Sequence, residues 1–480
     1  MRAWHLLVLF AQGGILLYFL AMNGLNLLFI VRAWMGIRSH LDDVESDQLE
    51  AFFESTHYRP ITLICPVYNE GPGCVASISS LLALRFPEYQ VVVVNDGSQD
   101  DTLARLVQAF RLHASRRVIR QLVPTKTIRG VYESAYVPNL IVVDKENGGK
   151  SDALNCGLNL ARYPLVCCMD GDSLLENDAL LRVVRPFMDQ KDVVATSGVI
   201  RPLNGCKVTP AGIRGIHMPG SWLARFQIVE YLRAFLFGRM GLASLRSMFI
   251  VSGAFGVFRK DLVVEAGGFR TGTVGEDFEL VVRLHRHLRE QGKPYRIVLV
   301  PDPICWTEVP EDRGTLKRQR NRWQRGLLDT LWMHRKMAFN PVYGRIGLFS
   351  MPYFLFFEAL APLIELGGYL AFAWFLWGGQ INTPFAILFL VLALFLGLLN
   401  SIASVVLEEM CIYPYQGLRA WVTLLLTGLL ENFGYRQLTL VWRILGMVDW
   451  LRGKETWGHM VRKGIDPTKP PPPPAEGLGT

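Results

Sequence analysis

The chain has 480 residues and a formal net charge of +8, and half of its residues are hydrophobic. Its mean hydropathy of +0.23 is too high for an ordinary soluble enzyme and too low for a protein made only of membrane helices. The basic residues lie in several separate segments and form no single patch, so nucleic-acid binding is not expected.

The first segment predicts a membrane helix. Leu6 to Val31 contains no charged residue and exceeds the ~20 apolar residues that a membrane-spanning helix needs. The segment is long for a signal peptide and has no obvious small-residue cleavage site. We therefore interpret residues 1–33 as a retained transmembrane helix and the polar residues 34–58 as a linker.

Four apolar runs in the next part of the chain predict buried parallel strands, and a polar cluster follows each run. The runs cover residues 61–65, 90–94, 140–143 and 165–169. In open α/β sheets, ligands bind beyond the carboxyl ends of the strands. We therefore expect one pocket, suited to a metal-bound nucleotide, to collect Tyr68, Glu70, Asp96, Lys150, Asp170 and Asp172.

Each of these residues also has an ordinary structural interpretation. Asp170 and Asp172 flank Gly171, which is typical of a turn but also places two carboxylates beside one Mg²⁺ or Mn²⁺ ion. Asp96 fits ordinary turn chemistry, and Tyr68 fits a packed aromatic side chain. Glu70 fits the first turn of a helix, and Lys150 fits a solvated cation.

Glu276 and Asp277 begin a predicted helix. Carboxylates are favoured at a helix N-terminus by the macrodipole, which is one explanation for both residues. The functional alternative makes Asp277 a general base that takes a proton from an acceptor hydroxyl.

Residues 315–336 predict a basic amphipathic helix at the membrane interface. Arg322 in this helix is suited to stabilising a leaving diphosphate, and Trp323 offers a flat apolar surface to a sugar ring. The residues expected on the apolar face are Leu316, Trp323, Leu327, Leu331 and Trp332.

The last third of the chain predicts further membrane helices. Residues 346–378 and 382–407 are long enough to span a bilayer, whereas charged residues interrupt 418–450 and indicate a broken, interfacial or re-entrant helix. Glu358 and Glu365 lie in an otherwise apolar span. We expect these two carboxylates either to face a polar channel or to form a hydrogen bond between helices.

Basic residues near the predicted membrane edges indicate that the central domain is cytoplasmic. The eight cysteines show no CxxC pair, which favours buried thiols in a reducing compartment. The expected location is a bacterial inner membrane. The expected division is a helix at 1–33, a linker at 34–58, a catalytic domain at 59–345, membrane helices at 346–450 and a basic, proline-rich tail at 451–480.

Four motifs follow one another along the chain: Asp96-Gly-Ser98, Asp170-Gly-Asp172, Glu276-Asp277 and Gln319-Arg-Asn-Arg-Trp323. In this order they resemble the family 2 glycosyltransferases of the membrane-embedded processive type, such as cellulose, hyaluronan, chitin and poly-N-acetylglucosamine synthases. The resemblance covers residues 60–335. It implies a GT-A (Rossmann-like) α/β domain joined to an α-helical transmembrane domain, and inverting, metal-dependent transfer from a UDP-sugar to a growing β-linked polysaccharide that crosses the membrane.

The resemblance also implies a role for each motif. It assigns the acid–base position to Asp277, with Glu276 beside it, and the metal to Asp172 together with Asp170. The nucleotide would contact Tyr68, Glu70, Asp96, Lys150 and Asp170. The acceptor and diphosphate would contact Gln319, Arg322, Trp323, Ser252 and Gly253.

Two details refine the resemblance. The usual threonine before Glu276 is Gly275 here, and the segment Lys145-Glu-Asn-Gly-Gly-Lys150 with a short membrane domain is closer to the poly-N-acetylglucosamine or hyaluronan branch. N-acetylglucosamine is therefore the expected sugar. Expected partners are a UDP-sugar, a glycan acceptor, membrane lipids and an export or modification subunit. The alternatives are single-sugar transfer to a lipid acceptor, a transporter and an inactive scaffold.

Overall fold

The computed structural model describes residues 2–46, 58–71, 73–209, 212–378, 383–410, 415 and 417–454. The central part of the predicted linker, residues 47–57, and the predicted tail beyond residue 454 lie outside the described residues.

The four predicted strand runs are neighbours in one mixed sheet. They form β1 (Ile61–Val67), β2 (Tyr89–Asn95), β5 (Leu140–Lys145) and β6 (Leu165–Met169). These strands are parallel and adjacent in the order β5-β2-β1-β6. Alternate valines of β2 pack into two different hydrophobic clusters, so both faces of the strand are covered, which explains its uninterrupted apolar sequence.

The sheet has ten strands among the described residues. Beyond β5 lie β4 (Ile128–Glu133) and β3 (His113–Ser115), both paired antiparallel. Beyond β6 lie four strands in the order β11 (Phe255–Arg259), β8 (Val193–Pro202), β12 (Arg296–Thr307) and β7 (Leu174–Leu175). A separate hairpin consists of β9 (Lys207–Thr209) and β10 (Gly212–Arg214).

Helices cover the sheet and connect its strands. In chain order they are α2 (Cys74–Leu82), α3 (Thr102–Phe110), α4 (Lys150–Leu160), α5 (Ala179–Asp189), α6 (Trp222–Leu232), α7 (Met240–Ser244), α8 (Lys260–Glu265), α9 (Glu276–Glu290) and α10 (Arg313–Met333). A π-helical turn, Arg233–Arg239, joins α6 to α7.

The helices that flank this domain are apolar. They are α1 (Arg2–Ser46), a bent pair made of Ile346–Ala359 and α11 (Ala361–Trp377), α12 (Thr383–Glu409), α13 (Leu418–Leu430) and α14 (Tyr435–Leu451). Two helices of the described chain, within α1 and α12, are long and apolar enough to cross a membrane, and the bent pair is a third candidate.

Three details differ from the sequence predictions. The first helix does not end near residue 33 but continues to Ser46, through the first part of the predicted linker. Residues 346–378 are not one straight helix, because the chain bends by 45° between Ala359 and Ala361, next to Pro362. Proline lacks the N–H group that a continuous helix needs at this point. The predicted break within 418–450 is confirmed, since α13 ends at Leu430 and α14 begins at Tyr435.

The apolar face predicted for residues 315–336 is wrong. Leu316 and Leu331 are buried, whereas Trp323 and Trp332 are 43% and 58% exposed. The helix α10 packs against α14 and α9, so its leucines enter the protein interior and its tryptophans remain outside. Helical periodicity reports which residues are apolar but not which neighbour covers them.

A buried ion pair connects the sheet to one of the flanking helices. Arg201 of β8 lies 3.0 Å from Glu408 of α12, and each side chain is 1% exposed. A buried charge needs a partner, so this pair fixes where α12 meets the central domain. Within the central domain, Arg320 of α10 lies 2.8 Å from Glu230 of α6.

Candidate active site

The loops after β2 and β5 are held together by a buried lysine. Lys145 is fully buried, and its ammonium group lies 2.6 Å from the carboxylates of both Asp96 and Asp152. Asp96 also accepts hydrogen bonds from the backbone N–H groups of Gly148 (3.0 Å) and Gly149 (2.8 Å). Asp96 therefore shapes the turn that leads into α4, and its contact with a base or ribose stays a prediction.

The turn Asp170-Gly171-Asp172 follows β6 directly, at the predicted edge of the sheet. A Cβ atom on Gly171 would lie 2.7 Å from the Glu70 carboxylate and 2.9 Å from the carbonyl oxygen of Pro66. Only glycine fits this close approach without a shift. The loops after β1 and β6 thus bring three carboxylates to one place, those of Glu70, Asp170 and Asp172.

Lys150, the first residue of α4, connects the two carboxylate motifs. Its ammonium group lies 2.7 Å from Asp170 and 3.1 Å from Glu276, and it donates a hydrogen bond to the carbonyl oxygen of Gly253 (3.2 Å). Burial by itself lowers the pKa of Lys150, but the charges of Asp170, Glu276 and Asp277 outweigh burial and raise this pKa above its ordinary value. Lys150 is therefore a permanent cation among carboxylates.

Asp277 begins α9 and faces the same space. One carboxylate oxygen accepts a hydrogen bond from the N–H of Gly253 (2.6 Å), and the other accepts one from the N–H of Phe278 (2.8 Å). A small pocket that opens to solvent is lined by Lys150, Ser252, Gly253, Glu276 and Asp277 among others. Lys150, Glu276 and Asp277, which have predicted donor or catalytic roles, therefore lie beside Ser252 and Gly253 of the predicted acceptor segment. Asp170 adjoins this group through its contact with Lys150.

The carboxylates at this point have the donor chemistry that a divalent cation requires. Asp170, Glu276 and Asp277 surround a single ammonium group, so the cluster carries net negative charge. The described residues contain no group of three or more metal-ligating side chains placed as a complete cage. Mg²⁺ is typically held by one or two carboxylates together with substrate phosphates, so the pair Asp170 and Asp172 fits this ion or Mn²⁺.

Tyr68 directly follows β1 and is 46% exposed. The neighbouring Asn69 has a positive φ of 54°, and its side chain accepts a hydrogen bond from the N–H of Gln99 (2.8 Å). The loop after β1 is thereby tied to the loop after β2. An exposed ring on a fixed loop is compatible with stacking on a base, and this role of Tyr68 stays a prediction.

The predicted acceptor motif lies on α10, close to the start of α9. A Cβ atom on Gly275 would lie 3.1 Å from the Cα atom of Gly326, so the two helices touch backbone to backbone just before Glu276. This contact gives a physical reason for glycine at the position where the family usually has threonine. Gln319, Arg322 and Trp323 lie within two turns of Gly326 on the same helix.

Of the motif residues on α10, Gln319 is buried and its side-chain oxygen has no hydrogen-bond partner within the described chain. Arg320 stacks over the Trp323 ring at 4.4 Å. Contacts of Gln319, Arg322 and Trp323 with a diphosphate or an acceptor sugar stay predictions.

Glu358 and Glu365 lie on the two arms of the bent pair, so they do not share one continuous helix face. Gln324 of α10 donates a hydrogen bond to the carbonyl oxygen of Ala359 (2.9 Å), and Arg443 donates to Gln324 (2.9 Å). The Glu358 carboxylate lies 3.8 Å from Arg443 and is 42% exposed. Glu365 accepts a hydrogen bond from Tyr369 (3.0 Å). Glu358 therefore adjoins the acceptor-motif helix, and the channel role of both residues stays a prediction.

Sequence reasoning missed Lys145 and Asp152. Both side chains are buried, and Asp152 also accepts a hydrogen bond from the N–H of Lys126 (3.0 Å). A usable signal was present, because Lys145 ends an apolar strand and a charge buried there requires a partner. Six of the seven described cysteines are buried thiols, as predicted, and Cys206 is partly exposed. Cys65, Cys167 and Cys168 are buried and unpaired, and burial raises the pKa of each.

The chain is similar to two poly-beta-1,6-N-acetyl-D-glucosamine synthases. It is 28% identical to the protein from Staphylococcus aureus (strain COL) over 285 residues, which are 59% of this chain and 56% of that protein. It is 26% identical to the protein from Staphylococcus epidermidis over 315 residues, or 65% and 63% of the two chains. The chain thus spans little more than half of the length of these relatives.

A solved structure with a similar fold is the mannosyltransferase PcManGT from Pyrobaculum calidifontis, in complex with GDP-Man and Mn²⁺. The similarity covers 93% of this chain and all of that one, with a TM-score of 0.55 and 18% sequence identity. This likeness establishes the fold, and the central domain is a GT-A domain as predicted.

Two family models match the chain. The model of glycosyl transferase family 2 matches residues 62–123, which contain the loops after β1 and β2. The model described as glycosyl transferase family group 2 matches residues 165–430, which contain the Asp-Gly-Asp turn, Asp277 and the motif on α10. Fold, site and family models agree, and the chain belongs to glycosyl transferase family group 2.

Proposed function

We propose that the protein transfers N-acetylglucosamine from UDP-N-acetylglucosamine to the growing end of a β-linked polysaccharide. One observation carries the proposal: Lys150 contacts Asp170 of the Asp-Gly-Asp turn and also Glu276, next to Asp277. The donor site and the general base are therefore adjacent. The choice of sugar rests on the similarity to the two staphylococcal synthases.

In the proposed reaction, Asp277 takes the proton of an acceptor hydroxyl, and that oxygen attacks the anomeric carbon from the side opposite to the leaving UDP, so the configuration inverts. The Gly253 N–H group, 2.6 Å from the Asp277 carboxylate, orients this base. A divalent cation held by Asp170 and Asp172 would supply charge stabilisation to the diphosphate. Lys150 adds a fixed positive charge on the same side.

We further propose that the product enters the membrane between the central domain and the apolar helices. The arrangement supports this path, because α10 carries the acceptor motif and also contacts the bent pair through Gln324 and Ala359. In this proposal the catalytic domain is cytoplasmic, the first helix extends to Ser46, the other domain bounds are those predicted from the sequence, and Glu358 and Glu365 contact the moving glycan.

The test is UDP release by the full chain in lipid nanodiscs, with the product sized by mass. UDP-N-acetylglucosamine, UDP-glucose, UDP-glucuronate and GDP-mannose are supplied separately, with Mg²⁺ or Mn²⁺. The expected result is a long polymer from UDP-N-acetylglucosamine alone. Asp277→Asn is expected to lower the rate by about 10²–10⁴, the usual contribution of a general base. Asp261→Asn, at a side chain of α8 that is 52% exposed, is the matched control.

Each other result contradicts part of the proposal. A single sugar on a lipid would replace polymer synthesis by single transfer. Another donor would overturn the sugar, and full activity of Asp277→Asn would overturn the base. No turnover with any donor, by a folded protein, would contradict the proposed reaction for this chain alone.

A further inference from the structure

The π-helical turn Arg233–Arg239 is an unusual element beside the active site. The helix that begins at Trp222 changes to π geometry at Arg233 and returns to α geometry at Met240. π-Helical turns are rare and are frequently found at functional sites. This turn contacts the apolar helices α1 and α12 and also the strands β8 and β12.

Three side chains form one face of this helix, which we call the 231–239 face: Tyr231, Phe235 and Arg239. The rings of Tyr231 and Phe235 are 6.0 Å apart, and the Arg239 guanidinium lies 4.0 Å from the centre of the Phe235 ring. Contact with an aromatic face holds a guanidinium in place and leaves its N–H groups available.

Arg239 keeps a buried donor without a partner. Its Nη1 atom is buried and makes no hydrogen bond within the described part of the chain. Arg233, at the other end of the same turn, pairs with both carboxylate oxygens of Glu431. A buried donor on a charged group costs stability when it is left unsatisfied, so Arg239 is suited to a ligand and Arg233 to a structural role.

The 231–239 face belongs to a turn that contacts the apolar helices α1 and α12. Phe278, next to Asp277, packs on Phe354 at 5.8 Å, and Phe354 lies one helical turn before Glu358. Burial lowers the pKa of Arg239 to about 10, and Asp277 and Glu358 both act on this pKa in the opposite direction. The charges of Asp277 and Glu358 therefore both act on the Arg239 guanidinium.

We propose that Arg239 donates hydrogen bonds to the acceptor sugar at the end of the growing glycan, with Tyr231 and Phe235 as the apolar side of the same subsite. This inference rests on the proposed function. The donor diphosphate already has Lys150 and the carboxylate pair, whereas the turn that carries Arg239 contacts the apolar helices α1 and α12. Neutral hydroxyl and amide oxygens accept hydrogen bonds from a guanidinium without forming an ion pair, so a glycan bound this way can still advance.

The test compares Arg239→Gln with the wild type in lipid nanodiscs. A pentamer of β-1,6-linked N-acetylglucosamine is the acceptor probe, and its Kd is measured by a binding titration in parallel with its KM. Both values are expected to rise on the order of tenfold, as for the loss of a charged hydrogen-bond donor. The donor KM and the slow release of UDP to water are expected to stay within about twofold. Arg246→Gln, the same change at an exposed position seven residues away, is the matched control.

Several results would overturn the inference. One is an unchanged acceptor KM and Kd. Another is an equal loss of UDP hydrolysis and sugar transfer together with a lower melting temperature, which indicates a structural role. If Arg239→Gln does not fold, Arg239→Lys carries the test, since it keeps the charge and loses the planar donor pair. An inactive wild-type protein would count against the proposed function. Pentamer binding would still decide the role of Arg239, because failure of the wild-type protein to bind the pentamer would overturn that role.

Discussion

Replacing Lys145 by methionine is expected to destabilise the protein and to weaken donor binding. Lys145 is fully buried, and its ammonium group lies 2.6 Å from both Asp96 and Asp152. At this distance each attraction is roughly 6 kcal/mol with an effective dielectric constant of about 20. Removing one partner of a buried pair costs about 3–5 kcal/mol after desolvation is included, because the remaining charges are left unpaired.

The loss should be visible in thermal unfolding of the full chain in nanodiscs. A loss of 1 kcal/mol lowers the melting temperature of a 150–250-residue domain by about 2–4 °C, so Lys145→Met should lower it by roughly 6 °C or more. Asp96 also binds the N–H groups of Gly148 and Gly149, which position Lys150. The donor KM should therefore rise as well, on the order of tenfold.

Two variants separate this explanation from a general effect of losing a lysine. Lys126→Met removes an exposed lysine whose ammonium group contacts Asn147 in the same loop, and it should leave the melting temperature within about 1 °C of the wild type. Lys145→Met with Asp152→Asn removes one of the two unpaired carboxylates and should recover part of the loss. A melting temperature of Lys145→Met equal to that of Lys126→Met would refute the reasoning.

Three further predictions concern the membrane contact, acid stability and the donor lysine. Arg201→Met should cost about 3–5 kcal/mol of stability, and adding Glu408→Leu should restore most of that loss. Equal melting temperatures of the single variant Arg201→Met and the double variant would contradict a coupled pair. Burial lowers the pKa of His285 from 6.5 to about 4, so its stabilisation is complete above about pH 6.5 and is lost as the pH falls toward 4, by at most about 3 kcal/mol. Between about pH 7 and about pH 5, the melting temperature of a His285→Gln protein should therefore fall by less than that of the wild type. An equal fall in both proteins would refute this prediction. The raised pKa of Lys150 means that its stabilisation is complete below about pH 10 and is lost only as the pH rises through its folded-state pKa. Lys150→Met should lower kcat/KM on the order of tenfold, and the ratio of this value to that of the wild type should stay constant from about pH 6 to about pH 9. A ratio that changes across this range would contradict the assignment of Lys150 as a permanent cation.

The sequence by itself determined the parallel strands and the residues that follow them. Strands buried on both faces read as uninterrupted apolar runs, so β1, β2, β5 and β6 were predicted with nearly correct bounds. The edge at which the polar clusters gather followed, because the carboxyl ends of parallel strands lie on the same side. These features depend on residues close together in the chain.

Tertiary packing decided the features that depend on distant residues. Lys150 meets Asp170 and Glu276 only because α4, β6 and α9 converge, and periodicity within one segment carries no information about such convergence. The exposed tryptophans of α10 and the partnerless donor of Arg239 were equally hidden. The hydrophobic pattern of a segment indicates which side chains are buried. Only the packed structure determines which neighbours bury them and which polar groups remain without a hydrogen-bond partner.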